Sequence, residues 1–164
     1  MAHARLGQAN LMHTLASFVA HLAALTIEVE HEAHHALERA AIIVETEAKD
    51  SMGEYQVAAG PFAAWAELAD ATKADRVAQG FPENEPELRT GGLRDSIQHQ
   101  VRISGAGGEA HVGSDSQIMV YQELGTSRMP PRSILGGAAF RKADEVRDVV
   151  GGGVVAVIEG RRAI

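Results

Sequence analysis

The residues best placed to do chemistry are His31, Glu32 and His35, within the run His31-Glu32-Ala33-His34-His35. On a helix, residues four apart share a face. Two imidazoles can then grip one metal ion while the neighbouring glutamate activates a bound water, which is the chemistry of a small zinc-dependent hydrolase. That chemistry also needs a third ligand. Ala41 stands where the longer motif carries its third histidine, and Glu38 where it carries glycine. Glu45 and Glu47 bring carboxylates, but from the same predicted helix, and nothing downstream marks a second ligand-bearing one. A short pattern with two free positions arises easily in a segment rich in His and Glu. The expectation is therefore a solvated helix face that takes up metal adventitiously, with no resident cofactor or metal and no enzyme activity.

Other nucleophiles and cradles are weaker. Ser114, Ser116, Ser127 and Ser133 lack a nucleophile elbow or an SxxK pattern. The glycines at 91–92 and 105–108 lack the strand and helix context of a phosphate loop and read as turns. The absence of cysteine removes disulfides, thiolate zinc sites and cysteine nucleophiles together. Arg128, Arg132, Arg141, Lys142 and Arg147 make the most basic stretch, yet Asp144, Glu145 and Asp148 are interleaved with them. A salt-bridged surface or subunit interface fits that pattern better than a nucleic-acid patch. Fifteen Lys and Arg against 22 Asp and Glu leave a net charge of −7, which argues against general phosphate binding. Trp65, Phe62 and Phe81 read as local anchors rather than base-stacking groups.

The elements that position these residues follow from periodicity. At 164 residues and 45% hydrophobic, the chain has the size of one domain with a real core, built on aliphatic residues because only 4% is aromatic. Leu11, Leu15, Phe18, Leu22, Leu25 and Val29 repeat every three or four residues, and the stripe resumes at Ala36, Ala40 and Ile43. This predicts a helix from Asn10 to Gly53 that either kinks in the polar stretch 28–32 or projects and packs on another subunit. Projection is favoured, with Leu22 and Leu25 as contacts. Residues 54–92 read as an inserted loop with a helix over 63–78, and residues 93–164 as the sheet and helix core. Strands are predicted over 96–104 and 110–112 as an antiparallel hairpin, and a short helix to Leu124 stopped by Gly125, in which Tyr121 and Leu124 face the core and Glu123 points elsewhere. A helix over 134–150 and, after Gly151 to Gly153, a terminal strand over 154–158 complete the reading. The fold class is α+β. No run of 18 apolar residues and no signal-like start is present, so a non-membrane protein made and kept soluble in a cytoplasm is expected.

Two segments carry a family resemblance. Trp65-Ala66-Glu67-Leu68-Ala69-Asp70-Ala71-Thr72-Lys73 with Leu88-Arg89-Thr90-Gly91-Gly92-Leu93-Arg94-Asp95-Ser96-Ile97 forms the first. Val112-Gly113-Ser114-Asp115, then Val120-Tyr121-Gln122-Glu123-Leu124-Gly125-Thr126 and Met129-Pro130-Pro131-Arg132-Ser133-Ile134-Leu135, form the second. Together they resemble the virion-morphogenesis and minor tail proteins of long-tailed phages, the head-tail connector and tail-completion group. The likeness spans about half the chain, residues 65–143, and departs at Ile134, where an aromatic is usual, and in the acidic insert 82–87.

The resemblance implies a structural virion protein of the neck. It would assemble as a homo-oligomeric ring, six copies favoured and twelve possible, against neighbouring connector and tail proteins. DNA would pass through such a ring without specific recognition, and an acidic lumen suits that passage. A tail terminator or other minor tail subunit is the near alternative. The residues expected to carry the contacts are Tyr121, Glu123, Gly125, Thr126, Arg128, Pro130, Pro131 and Arg132, with Leu22 and Leu25 on the long helix. Pro130 and Pro131 stiffen the loop, so little entropy is lost when it docks.

Overall fold

A computed structural model describes residues 15–104 and 107–159. The order is α1 (Leu15–Asp50), α2 (Asp70–Ala78), α3 (Gly92–Asp95), β1 (Ile97–Ser104), β2 (Gly107–Ser114), α4 (Gln117–Leu124), α5 (Leu135–Arg141) and α6 (Ala143–Ile158). The fold is α+β, as the sequence predicts: a long N-terminal helix, a two-stranded antiparallel sheet and C-terminal helices. The predicted Asn10 cap lies outside the described residues.

The 36 residues of α1 form one uninterrupted helix, about 54 Å long at 1.5 Å per residue. Residues 28–32 do not break it. Its C-terminal half carries the buried small residues Ala36, Ala40, Ala41 and Ala48, and Met52 follows in the turn beyond. Alanine keeps the helix surface low there, so α5, α6 and the hairpin all pack against it. The N-terminal half is exposed at Phe18, Val19, Leu22 and Ile27, while Leu25 is half-buried. The helix ends at Asp50, and Gly53 (φ 99°) serves the following turn by donating its amide to the Pro86 carbonyl at 2.8 Å.

In the hairpin Ile97 pairs with Ser114 and Ser104 with Gly107, so β2 is longer than the predicted 110–112 segment. Ile97, His99 and Val101 alternate towards α1, with Ile97 fully buried among Ala48, Met52, Trp65, Met119, Ile134 and Ala138. Trp65 thus belongs to the main core and is no mere local anchor. His99 ties the sheet to α1. Its Nδ1 meets the Glu45 carboxylate and its Nε2 the Glu38 carboxylate at 2.9 Å, and these two hydrogen bonds, Glu45 first, raise its pKa.

Four expectations are corrected. The predicted strand over 154–158 is the end of α6, and the single helix over 134–150 is two helices that meet at Lys142. The three glycines do not stop α6, because packing against α1 outweighs the small local preference of β-branched residues for strand. A Cβ at Gly153 would stand 2.9 Å from Glu32 Oε1 and 3.3 Å from Ala36 Cβ, so glycine lets the two helices approach. Residues 63–69 form no helix, and only Asp70–Ala78 is helical, because the Ala66 and Glu67 carbonyls that a helix would use are taken by another group. Tyr121 and Leu124 face outward, 49% and 74% exposed, while Met119 fills the inward face of α4.

The close α1–α6 contact yields a paired expectation. Gly153→Leu forces the helices apart and lowers unfolding free energy by about 1–3 kcal/mol. Gly151→Ala, which meets nothing within 4 Å, raises it by about 0.5–1 kcal/mol through helix propensity. Urea unfolding of both variants checks the opposite signs.

Candidate functional site

The segment from α4 to α5 is organised around one carboxylate. Helix α4 places Glu123 four residues after buried Met119, so its side chain reaches inward to the start of α5. There Glu123 accepts four hydrogen bonds: from Ser133 Oγ at 2.5 Å and from the amides of Ile134 at 2.7 Å, Leu135 at 3.0 Å and Gly136 at 2.8 Å. Free amides at a helix start favour a negative partner, and Ile134 has no side-chain oxygen with which to cap the helix itself. Ser133 Oγ in turn accepts from the Gly137 amide at 3.1 Å, and the Ser133 carbonyl accepts from Trp65 Nε1 at 3.3 Å. Ser133 is therefore a structural hydroxyl.

Between Glu123 and α5 the chain turns sharply. Gly125 has φ 73°, and a Cβ there would lie 2.8 Å from the Pro131 nitrogen and 2.9 Å from the Met129 carbonyl oxygen, so only glycine fits. Thr126 and Met129 pair through their backbones at 2.8 and 3.3 Å, and Thr126 Oγ1 accepts from the Arg128 amide at 3.2 Å. Pro130 and Pro131 are exposed on this turn. The Arg132 amide then returns to the Gln122 carbonyl at 2.7 Å, which closes the loop on α4.

Arg132 joins the two halves of the chain. Its buried guanidinium donates to the Ala66 carbonyl at 3.1 and 3.0 Å and to the Glu67 carbonyl at 3.3 Å, and lies 3.5 Å from Glu87 Oε1. Those carbonyls serve an arginine instead of a helix, which is why 63–69 is not helical. Arg76, also buried, holds the Pro82 and Leu88 carbonyls at 2.8 and 2.7 Å. The Glu87 side chain is only 3% exposed, and burial pushes its carboxyl up to about 7 despite the charges of Arg132 and Arg76. A groove of about 560 Å³ opens beside this pair, with Ile118, Gln122, Arg128 and Pro130 along one wall and Leu68 and Arg89 on the other.

The structure thus brings Glu123, Gly125, Thr126, Pro130, Pro131 and Arg132 into one clasp, with Arg128 on its rim. Glu123 reaches inward to cap α5 and shares the buried face of its helix with Met119. Tyr121 faces outward, and Leu22 and Leu25 lie on α1, outside the clasp. Residues 66, 67, 76 and 87 were missed: three act through backbone carbonyls or a buried charge, and Glu87 takes a positive φ of 62° that its residue type does not announce. The predicted salt-bridged surface is present, with Arg141 on Glu47 at 2.5 Å, Lys142 on Glu145 at 3.0 Å and Arg147 on Asp144 at 2.5 Å. At the hydrolase motif Glu32 is bound to Arg39 at 2.9 Å. Among the described residues no group of three His, Asp or Glu side chains converges to hold a metal.

No family model, curated protein or solved structure matches the chain. Among the described residues no helix is long and apolar enough to cross a membrane.

Glu123→Gln replaces one acceptor oxygen with an NH2 group that opposes the donors. It costs about 2–3 kcal/mol, read as a lowered urea midpoint. A pH dependence follows from Glu87 and His99, whose folded pKa values are both raised. Their stabilising contribution is complete below the unfolded values and is lost as pH rises through the folded ones. For Glu87 that window runs from 4.5 to about 7, and for His99 it begins at 6.5. Unfolding free energy therefore falls between roughly pH 5 and pH 8. Glu87→Gln gains about 2–3 kcal/mol on wild type across that interval, as urea unfolding at both pH values would read.

Proposed function

We propose that the chain is a non-enzymatic structural protein of a long-tailed phage virion, in the neck or upper tail. It joins or completes the tail at the head-tail interface as a homo-oligomeric ring of six copies, or alternatively twelve. One observation carries this reading. The two segments that resemble the connector and tail-completion proteins meet through Arg132 and the Ala66 and Glu67 carbonyls, and α4 beside them turns an apolar stripe to the outside. Ile118, Tyr121 and Leu124 lie three apart and are 55%, 49% and 74% exposed. An eight-residue helix that buries Met119 and directs Glu123 inward has no intramolecular use for that outer stripe. Beside it stands the stiff Pro130-Pro131 turn.

The exposed Phe18, Val19, Leu22 and Ile27 of α1 supply a second, different apolar surface. Two unlike patches on one subunit are what a heterologous, ring-closing contact needs. The net charge of −7 suits a lumen past which DNA slides without being gripped. A tail terminator or another minor tail subunit would use the same surfaces on a different partner ring.

Leu124→Asp and the double change Leu22→Asp with Leu25→Asp separate these surfaces. Each buried leucine lost costs about 2 kcal/mol per contact, so ring association weakens about thirtyfold or more in either variant while the monomer fold is kept. Native mass spectrometry and negative-stain microscopy, alone and with a connector ring, read the outcome. Rings that form normally in both variants would remove these surfaces as the interface.

A further inference from the structure

We propose that His31 and His35 form a two-histidine chelate for a divalent transition-metal ion such as zinc, on the outer face of α1, separate from any hydrolytic function. The two Nε2 atoms lie 3.2 Å apart, and the rings meet edge to face with centroids 4.4 Å apart. At zinc-nitrogen distances of about 2.0–2.1 Å, that separation subtends roughly 100° at the metal, close to the tetrahedral angle. The four-residue spacing of the helix puts the two side chains on one face, and the ion takes the place of the hydrogen-bonded contact between their Nε2 atoms. Both residues are exposed, so a cation reaches them without opening the fold.

The neighbouring groups define what kind of site this is. Glu32, the would-be general base, lies about 100° around the helix from His31 and is bound to Arg39 at 2.9 Å, on the side that faces Gly153 of α6. It is held away from the metal position. The His34 ring stands edge-on to His35 with centroids 6.0 Å apart, and Glu38 is engaged by His99 at 2.9 Å. With two protein ligands, the remaining coordination positions go to water. The site binds metal and clamps one turn of α1 without a base to activate that water. By the usual order of affinities copper(II) binds more tightly than zinc or nickel. This inference does not rest on the assembly role proposed above.

The test is titration of the full chain with zinc chloride by isothermal calorimetry, with native mass spectrometry for stoichiometry and the thermal midpoint as a second readout. One zinc per chain is expected, with a midpoint that rises with zinc concentration. His31→Ala and His35→Ala each weaken binding tenfold or more and abolish the midpoint rise, while His34→Ala and Glu32→Gln stay within twofold of wild type. The three histidine changes are exposed and Glu32→Gln keeps the shape of a part-buried side chain, and circular dichroism without metal verifies that all four variants fold. Undiminished binding in His31→Ala and His35→Ala overturns the site. An equal loss in His34→Ala or Glu32→Gln overturns the two-histidine assignment, and half a zinc per chain with dimer formation overturns a site contained in one chain.

Discussion

Four donors converge on the Glu123 carboxylate, and the geometry of the whole second half of the chain depends on that convergence. The start of α5 presents amides that no residue of its own can satisfy. A charged acceptor delivered from α4 both neutralises them and fixes the angle between the two helices. Once α4 and α5 are locked, the connecting residues have few ways to close. Gly125 takes the one backbone conformation available, the double proline bridges the turn, and Arg132 is delivered to a single place. A carboxylate is required there because an amide side chain brings donors as well as an acceptor to a site made only of donors.

Arg132 extends the constraint to the first half of the molecule. A buried guanidinium is tolerable only when its donors are used. It therefore captures the Ala66 and Glu67 carbonyls, withholding them from a helix that the local composition favours, and it draws Glu87 under the groove. Burial prevails over attraction at Glu87, which leaves a carboxyl that titrates near neutrality against two arginines. The motif residues thus divide by direction. Glu123 and Arg132 turn inward and hold the clasp, Arg128 stays on its rim, and Tyr121 and Leu124 of α4 turn outward, available to another surface.

The long helix obeys a different rule. Its C-terminal half carries alanines and meets Gly153 of α6, so backbones approach closely and neighbouring elements pack tightly. Its outer face is free of that demand, and histidines four apart stack there at a metal-binding separation. One helix therefore serves as a core element on one side and as a surface that presents ligands and apolar residues on the other.

Patterns that act within a few residues were legible in the sequence: the three-and-four spacing of α1 on either side of residues 28–32, the Ile97-His99-Val101 alternation of β1, and Gly125 ending α4. Each follows from periodicity or from a backbone conformation that one residue type permits. The inward turn of Glu123, the non-helical course of 63–69 and the helical state of 154–158 were decided by partners outside the local segment. Respectively these are the amides of α5, the guanidinium of Arg132, 65 or 66 residues beyond the carbonyls it holds, and the Ala36 surface under Gly153. Local preference at such positions is worth a few tenths of a kilocalorie to about one per residue. Satisfying a buried charge or closing a helix contact is worth more, and the chain alone does not reveal which residues will meet. The residue types of the site were therefore set by the sequence, and their orientations, inward to hold or outward to contact, by the tertiary structure.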